Sequence, residues 1–172
     1  TPVSLFEEAV TAANKAVFEE SASHVEYEGM GTTVVACTLE ENTLYIANIG
    51  DSRLYLIRDG IEQITDDHSL VEEMVKQGNI TESEARIHPQ KNIITRALGI
   101  NEEVQADFFE IDVEQGDVIM LCSDGLSNMI EDEDMEYIVK NSDTLQTAAE
   151  SLVARANENG GNDNITVVLA EV

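Results

Sequence analysis

The sequence is poor in basic residues and in aromatics. Its 172 residues include 9 Lys and Arg against 35 Asp and Glu, which gives a formal net charge of −26. Such a surface excludes nucleic acid as an expected partner, because binding to a phosphate backbone needs Lys and Arg to displace counterions. It argues against docking on anionic membranes for the same reason.

Long apolar runs and a secretory leader are also absent. The longest unbroken apolar run is Val118–Cys122, which is far below the roughly 20 residues that a membrane helix needs. No basic stretch followed by apolar residues opens the chain, so no signal peptide is predicted. Cys37 and Cys122 each lie inside an apolar segment, which is typical of buried free thiols in a reducing compartment. We therefore expect a cytoplasmic protein without membrane insertion.

An apolar content of 42% is enough to build the core of one domain, which we place at residues 1–172. Apolar residues spaced three and four apart from Leu5 to Val17 predict an amphipathic helix. Apolar runs at 34–38, 44–49, 54–58 and 61–65 predict four strands, and Asp59-Gly60 predicts a hairpin between the last two. We expect residues 34–65 to form one antiparallel meander.

The second half of the sequence mixes helices and strands. Ser69 and Thr81 are typical helix N-caps, so residues 66–92 are expected to form a polar, helical insertion. The remaining elements are strands over 93–98, 104–111, 118–122 and 165–172, and helices over 132–140 and 144–157. This order predicts an α+β fold with antiparallel sheets covered by helices.

Three aspartates share one local arrangement. Asp51, Asp124 and Asp163 each lie where a predicted apolar strand meets a loop, with a glycine nearby. Two interpretations remain open at this point: Asp and Gly often simply form turns, or the carboxylates gather around a hard cation. Ligands that offer only oxygen suit Mg²⁺ or Mn²⁺ better than Zn²⁺.

Six short motifs follow one another along the chain. They are EGMGTTVV (28–35), ANIGDSRLY (47–55), DDHSLV (66–71), HPQKNIITRALG (88–99), LCSDGLSNM (121–129) and GGNDNITVV (160–168). This succession closely resembles the metal-dependent protein phosphatases of the PP2C (PPM) type, most of all the bacterial enzymes that oppose membrane-bound Ser/Thr kinases. Six ordered motifs are specific, whereas a single one such as SDG would carry little information.

The resemblance implies a fold, a reaction and a set of ligands. The family fold is a sandwich of two antiparallel sheets flanked by helices. By motif, Asp124 and Asp163 match metal-coordinating aspartates of a dinuclear Mn²⁺ or Mg²⁺ centre, and Asp51 matches a ligand of a third ion. Residues 66–92 resemble the flap beside the active site. The implied reaction is hydrolysis of phosphoserine and phosphothreonine, with phosphorylated proteins and a Ser/Thr kinase as partners.

Part of the family pattern is not found in these residues. The family opens with a segment that carries an Arg and an NED- or NQD-type motif and then DGMGGH, and this sequence contains neither. A metal-binding aspartate, a glycine carbonyl, the phosphate-binding Arg and the His thought to act as general acid are thus unmatched. We expect a PP2C-like domain that lacks its N-terminal strands and is inactive alone. A non-catalytic phosphatase-like interaction module is the alternative, and a Ca²⁺-binding acidic domain is the third hypothesis.

The three histidines are expected to have structural roles. By motif, none of His24, His68 and His88 lies near the three aspartates, and His68 in particular is typical of a hydrogen-bonded loop anchor.

Overall fold

The computed structural model describes residues 1–172, which form two compact units. The first unit contains residues 1–51 and 66–112, and the second contains residues 52–65 and 113–172. In chain order the helices and strands are α1 (Pro2–Ser23), β1 (Val34–Glu40), β2 (Thr43–Ile49), β3 (Arg53–Ile57), β4 (Ile61–Gln63), α2 (Leu70–Lys76), α3 (Glu82–Ile87), β5 (Asp107–Asp112), β6 (Val118–Cys122), α4 (Asp124–Ser127), α5 (Asp132–Lys140), α6 (Leu145–Glu158) and β7 (Val167–Glu171).

The first unit is built on a three-stranded antiparallel sheet in the order β1-β2-β5. Helix α1 starts at Pro2 after the N-cap Thr1, whose hydroxyl accepts the N–H of Ser4, and it buries Val10 together with Ile49 of β2. The buried amide of Asn14 accepts the N–H of Gly99 at 2.7 Å, which ties the helix to the chain before β5. A buried amide needs such partners, because leaving it unpaired costs about 1–3 kcal/mol.

The second unit carries a four-stranded antiparallel sheet in the order β4-β3-β6-β7. Strand β6 lies between β3 and β7, and its residues Met120 and Cys122 are buried against α4, α5 and α6. Met135 and Leu152 of the two longer helices have no exposed surface, and burying each such side chain stabilises the fold by about 1.5–3 kcal/mol. The end of the sheet at which β6 stops is therefore a rigid support for the residues that follow this strand.

Most of the predicted architecture is confirmed. The chain is α+β with two antiparallel sheets, and the strand 118–122 and the helix 132–140 have the predicted bounds. Cys122 is a buried free thiol, whereas Cys37 is free and half-buried, and burial raises the pKa of the Cys37 thiol. Among the helices, none combines the length and the apolarity that a membrane span requires. The assignment of 1–172 to one domain stays a prediction.

Two strand predictions are wrong. Residues 34–65 do not form one meander, because β2 pairs with β1 and β5 while β3 pairs with β4 and β6, so the chain changes sheets after Gly50. Residues 93–98 form no strand either. Near the start of this segment the backbone groups bond to Leu70 and His68, whereas Leu98 at its end bonds to Thr32. No single neighbouring strand therefore pairs along the whole segment.

The insertion at 66–92 is helical, as predicted. The hydroxyl of Ser69 caps α2 by accepting the N–H of Glu72, and Thr81 with Glu84 forms a reciprocal capping box on α3. Only Val71 is buried in the two helices, and Ile87 is 84% exposed. The segment thus owes its helices to local capping more than to packing.

Candidate metal centre

Asp124 is placed by β6, an inner strand of the sheet in the second unit that pairs with β3 and β7. It is the first residue of α4, directly after β6 and the N-cap Ser123, and it is half-buried. Its backbone carbonyl accepts the N–H of Asn128 at 2.8 Å, which closes the first helical turn. A negative charge in the first turn is favoured by the helix dipole, and the carboxylate emerges from a rigid support.

Ser123 fastens this strand end to the loop that carries Asp163. Its N–H donates to the carbonyl of Thr166 at 3.1 Å. Its hydroxyl accepts the N–H of Thr166 at 3.0 Å and donates to the carbonyl of Asn164 at 3.2 Å. Three hydrogen bonds from one residue therefore join two loops that are about 40 positions apart in sequence.

Gly125 allows the same two loops to touch. A β-carbon built on Gly125 would lie 2.0 Å from the carbonyl oxygen of Asn164 and 3.5 Å from the carbonyl carbon of Asp163. No side chain fits in that space, so a glycine is required for close approach of the two backbones. The geometry brings the chain at Asp124 and the chain at Asp163 to one end of the sheet in the second unit. Asp163 is exposed there, and its carboxylate accepts the N–H of Asn164 at 2.7 Å.

Asp51 follows β2 in the first unit and is 9% exposed. The turn before it depends on Gly50, which has a φ of +106°, and a β-carbon at Gly50 would lie 2.4 Å from Cγ2 of Thr33. Because Asp51 and the pair of Asp124 and Asp163 belong to different units, the convergence of all three stays a prediction. Within each unit, no group of three or more His, Cys, Asp or Glu side chains could hold a metal ion by itself.

His68 is bound to the residue before Asp51, which sequence reasoning missed. It is buried, its Nδ1 accepts the N–H of Gly50 at 3.0 Å, and its Nε2 lies 2.8 Å from Oδ2 of Asp107. Burial raises the pKa of Asp107, but hydrogen bonds from His68 and Arg96 outweigh it and the pKa lies below its usual range. The anchoring role predicted for His68 is confirmed. The expectation that no histidine lies near the three aspartates is wrong for His68, because its bond to Gly50 spans 18 positions and leaves no local signal in the sequence.

The other two histidines have structural positions, as predicted. His24 follows the last residue of α1, and its Nδ1 lies 3.3 Å from a carboxylate oxygen of Glu20. His88 follows the last residue of α3, and its Nδ1 accepts the N–H of Gln90 at 3.1 Å. Both are loop or helix-end contacts on the surface of the first unit.

The residues present fit a hard divalent cation. Asp124 and Asp163 offer carboxylate oxygens, which Mg²⁺ and Mn²⁺ prefer, and the nearby thiol of Cys122 is buried in the hydrophobic core of the second unit. The tight contact of Gly125 with Asn164 supports this fit, because it holds the backbones next to the two aspartates together at one end of the sheet.

Comparison with known proteins agrees with this picture. Residues 3–170 match the family described as Protein phosphatase 2C. The serine/threonine phosphatase stp of Listeria monocytogenes serotype 4b is 43% identical over 163 residues, which are 94% of this chain and 65% of that protein. The protein phosphatase PhpP of Streptococcus pneumoniae is 47% identical over 147 residues, which are 85% of this chain and 60% of that protein.

Solved structures give the same result for the fold. Serine/threonine phosphatase Stp1 from Staphylococcus aureus superposes with a TM-score of 0.95 at 36% identity, covering 98% of this chain and 67% of that one. The catalytic domain of the phosphatase PstP, solved in complex with two manganese ions, has a TM-score of 0.87 at 37% identity, covering 96% of this chain and 69% of that one. The chain thus spans about two thirds of the length of these relatives.

Proposed function

Because the chain belongs to the protein phosphatase 2C family, we propose that it supplies most of the active site of an enzyme that hydrolyses phosphoserine and phosphothreonine on proteins. The observation that carries this proposal is the fastening of the Asp124 loop to the Asp163 loop by Ser123 and by the contact of Gly125 with Asn164. The relatives named serine/threonine phosphatases support the reaction class.

The chain's own residues would act as ligands. Asp124 and Asp163 would hold two Mn²⁺ or Mg²⁺ ions through their carboxylate oxygens, and Asp51 would hold a third ion. When bound, the metal pair supplies an activated water for in-line attack on phosphorus and positive charge against the phosphoryl oxygens. Ser123 and Gly125 keep the two loops in register, so the ligands do not have to be ordered at the moment of binding.

The flap at 66–92 would, by its resemblance to the family's flap, govern the access of folded protein substrates. Its exposed Ile87 and its short, capped helices are suited to a surface that adapts to a partner. The physiological role we propose is reversal of phosphorylation by a bacterial Ser/Thr kinase in the cytoplasm. The PstP structure with two manganese ions supports manganese as a metal to test first.

We further propose that these 172 residues are inactive or nearly so on their own. The resemblance places one metal aspartate, one metal-binding carbonyl and the phosphate-binding Arg in a segment that this sequence does not contain. Phosphate monoesters are among the slowest compounds to hydrolyse without catalysis, so an incomplete ligand set should be severely damaging.

The test is an assay on a phosphothreonine peptide with Mn²⁺. The 172-residue chain is compared with the same chain fused to the family's N-terminal segment containing DGMGGH. Activity that appears only in the fused protein supports both parts of the proposal. Equal activity in both would contradict the inactivity of the chain alone. A fused protein that folds and binds Mn²⁺ but remains inactive would favour a non-catalytic interaction module.

A further inference from the structure

His68 makes two hydrogen bonds to Gly50, the residue that precedes Asp51. Its Nδ1 accepts the N–H of Gly50 at 3.0 Å, and its own N–H donates to the carbonyl of Gly50 at 2.9 Å. His68 is 5% exposed, so these bonds are made away from competing water. They fix the direction in which the chain leaves β2 and enters Asp51.

The hydrogen bonds also determine which ring nitrogen of His68 carries the proton. A backbone N–H can only donate, so Nδ1 of His68 carries no proton, and the proton of the neutral ring lies on Nε2. Nε2–H then donates to Oδ2 of Asp107 at 2.8 Å, and Oδ1 of the same carboxylate accepts from Nη1 of Arg96 at 2.8 Å. Asp107 thus selects the tautomer that leaves Nδ1 available to Gly50.

The turn has little freedom to adopt another shape. Gly50 has a φ of +106°, and its α-carbon packs so closely on Thr33 that no side chain fits. The amide of Asn48 donates to the carbonyl of Asp66 at 2.9 Å, which ties β2 to the first residue of the flap segment. The turn before Asp51 and the start of the flap are therefore one hydrogen-bonded structure within the first unit.

We propose that His68 is a positioning residue for Asp51, and that it couples the flap segment 66–92 to the ion that Asp51 holds. This inference rests on the proposed function, because it requires Asp51 to bind a cation. His68 does not contact the substrate or the ion in this role. It acts through the Gly50 peptide, in the way that residues behind a metal ligand set its orientation, and loss of such a contact typically lowers metal affinity by about 10–100-fold.

Two variants separate the two nitrogens of the ring. His68→Asn places an amide oxygen near the position of Nδ1, so it can still accept the N–H of Gly50 but cannot reach Asp107. His68→Gln places an amide N–H near the position of Nε2, so it can still donate to Asp107, but its side chain offers no acceptor to the N–H of Gly50. The two changes are matched in polarity, which makes each the control for the other.

The experiment is a Mn²⁺ titration of the 172-residue chain, with free Mn²⁺ followed by electron paramagnetic resonance and melting temperature recorded for each variant. Asp51→Asn should weaken Mn²⁺ binding, and His68→Gln should weaken it by about tenfold or more. The Mn²⁺ affinity of His68→Asn should stay closer to that of the wild type, even if its melting temperature falls as far as that of His68→Gln. If His68 had a purely structural role, Mn²⁺ affinity and melting temperature would fall together in both His68 variants.

The contradictory results are distinct. If Asp51→Asn weakens binding but His68→Gln binds Mn²⁺ like the wild type, the role of His68 is wrong while the proposed metal site stands. If Asp51→Asn itself titrates like the wild type, Asp51 is not a ligand and both statements fail. Should His68→Gln not fold, His68→Asn decides alone: because it keeps an acceptor for the N–H of Gly50 it should bind Mn²⁺ like the wild type, and a loss of about tenfold or more in that variant would overturn the inference.

Discussion

Gly125 and Asn164 approach each other so closely that a β-carbon on Gly125 would lie 2.0 Å from the carbonyl oxygen of Asn164. The contact joins the residue after Asp124 to the residue after Asp163. Two acidic loops that the sequence separates widely are thus held backbone against backbone, and Ser123 adds hydrogen bonds on the same side. The candidate metal centre of the second unit depends on this packing as much as on the carboxylates.

Gly125→Ala should therefore damage the fold and the site together. The obstructing atom belongs to a backbone and cannot turn away, so we expect a loss of about 3 kcal/mol or more in the free energy of unfolding. Gly60→Ala is the matched control in the same unit, because its β-carbon would meet nothing closer than 4.0 Å, and it should change stability by no more than about 0.5 kcal/mol. Urea unfolding of both variants measures the difference. Equal stability of the two would show that the loops can separate without cost.

The pair formed by Arg58 and Asp117 should make stability depend on pH. Asp117 is 2% exposed, and Nε and Nη2 of Arg58 donate to its two carboxylate oxygens at 2.8 and 2.7 Å. These bonds, opposed by burial and aided by the N–H of Glu114, hold the pKa of Asp117 below its usual range. A carboxyl with a lowered pKa stabilises the fold fully above its unfolded pKa of about 4, and the contribution is lost as pH falls through the folded value.

The variant for that test is Asp117→Asn, which should cost about 2 kcal/mol at pH 7. The deficit relative to the wild type should shrink as the pH is lowered below about 4, because the unfolded wild-type chain then gains a proton that the folded carboxyl of Asp117 does not yet bind. Glu114→Gln is the control: its carboxylate is 69% exposed, and its ion pair with Arg58 should be worth less than about 1 kcal/mol. Denaturant unfolding from pH 7 to pH 3 gives all three curves. A deficit for Asp117→Asn that is unchanged at pH 3 would contradict the assignment.

Hydrogen exchange should divide the flap segment into two parts. The amides of His68 and Leu70 donate to backbone carbonyls and lie beside buried groups, so they should exchange slowly. Residues 79–92 contain α3, which buries no side chain, and they should exchange far faster than β6. Hydrogen exchange detected by mass spectrometry or NMR on one sample compares residues 79–92 with β6 directly. Protection over 79–92 equal to that of Val118–Cys122 would refute a mobile flap.

Local signals explain what could be predicted from the sequence. The apolar run Val118–Cys122 and the acidic first turn at Asp132 define a strand and a helix with the observed bounds, because each depends on its own residues. The Asp59-Gly60 hairpin is of the same kind. The loops that carry Asp124 and Asp163 meet in the second unit, while the predicted convergence of these two aspartates with Asp51 stays a prediction.

Remote contacts explain what could not be predicted. The change of sheet after Gly50 is fixed by Thr33 and His68, and the latter is 18 positions away. The segment 93–98 has strand-like composition but pairs with different partners at its two ends. The four-residue helix α4 is too short to give a periodic pattern, and it forms on the support of β6. Each of these features requires knowledge of a neighbour that no local window contains.

The most direct test of the account is the Mn²⁺-dependent hydrolysis of a phosphothreonine peptide by this chain fused to the family's N-terminal segment. Asp124→Asn and Asp163→Asn should each nearly abolish this activity, because each would remove a charged ligand of the proposed metal pair. Asp51→Asn should act more mildly and raise the Mn²⁺ concentration that is needed. Full activity in Asp124→Asn, in a protein that melts like the wild type, would contradict the central claim that this aspartate holds the catalytic metal.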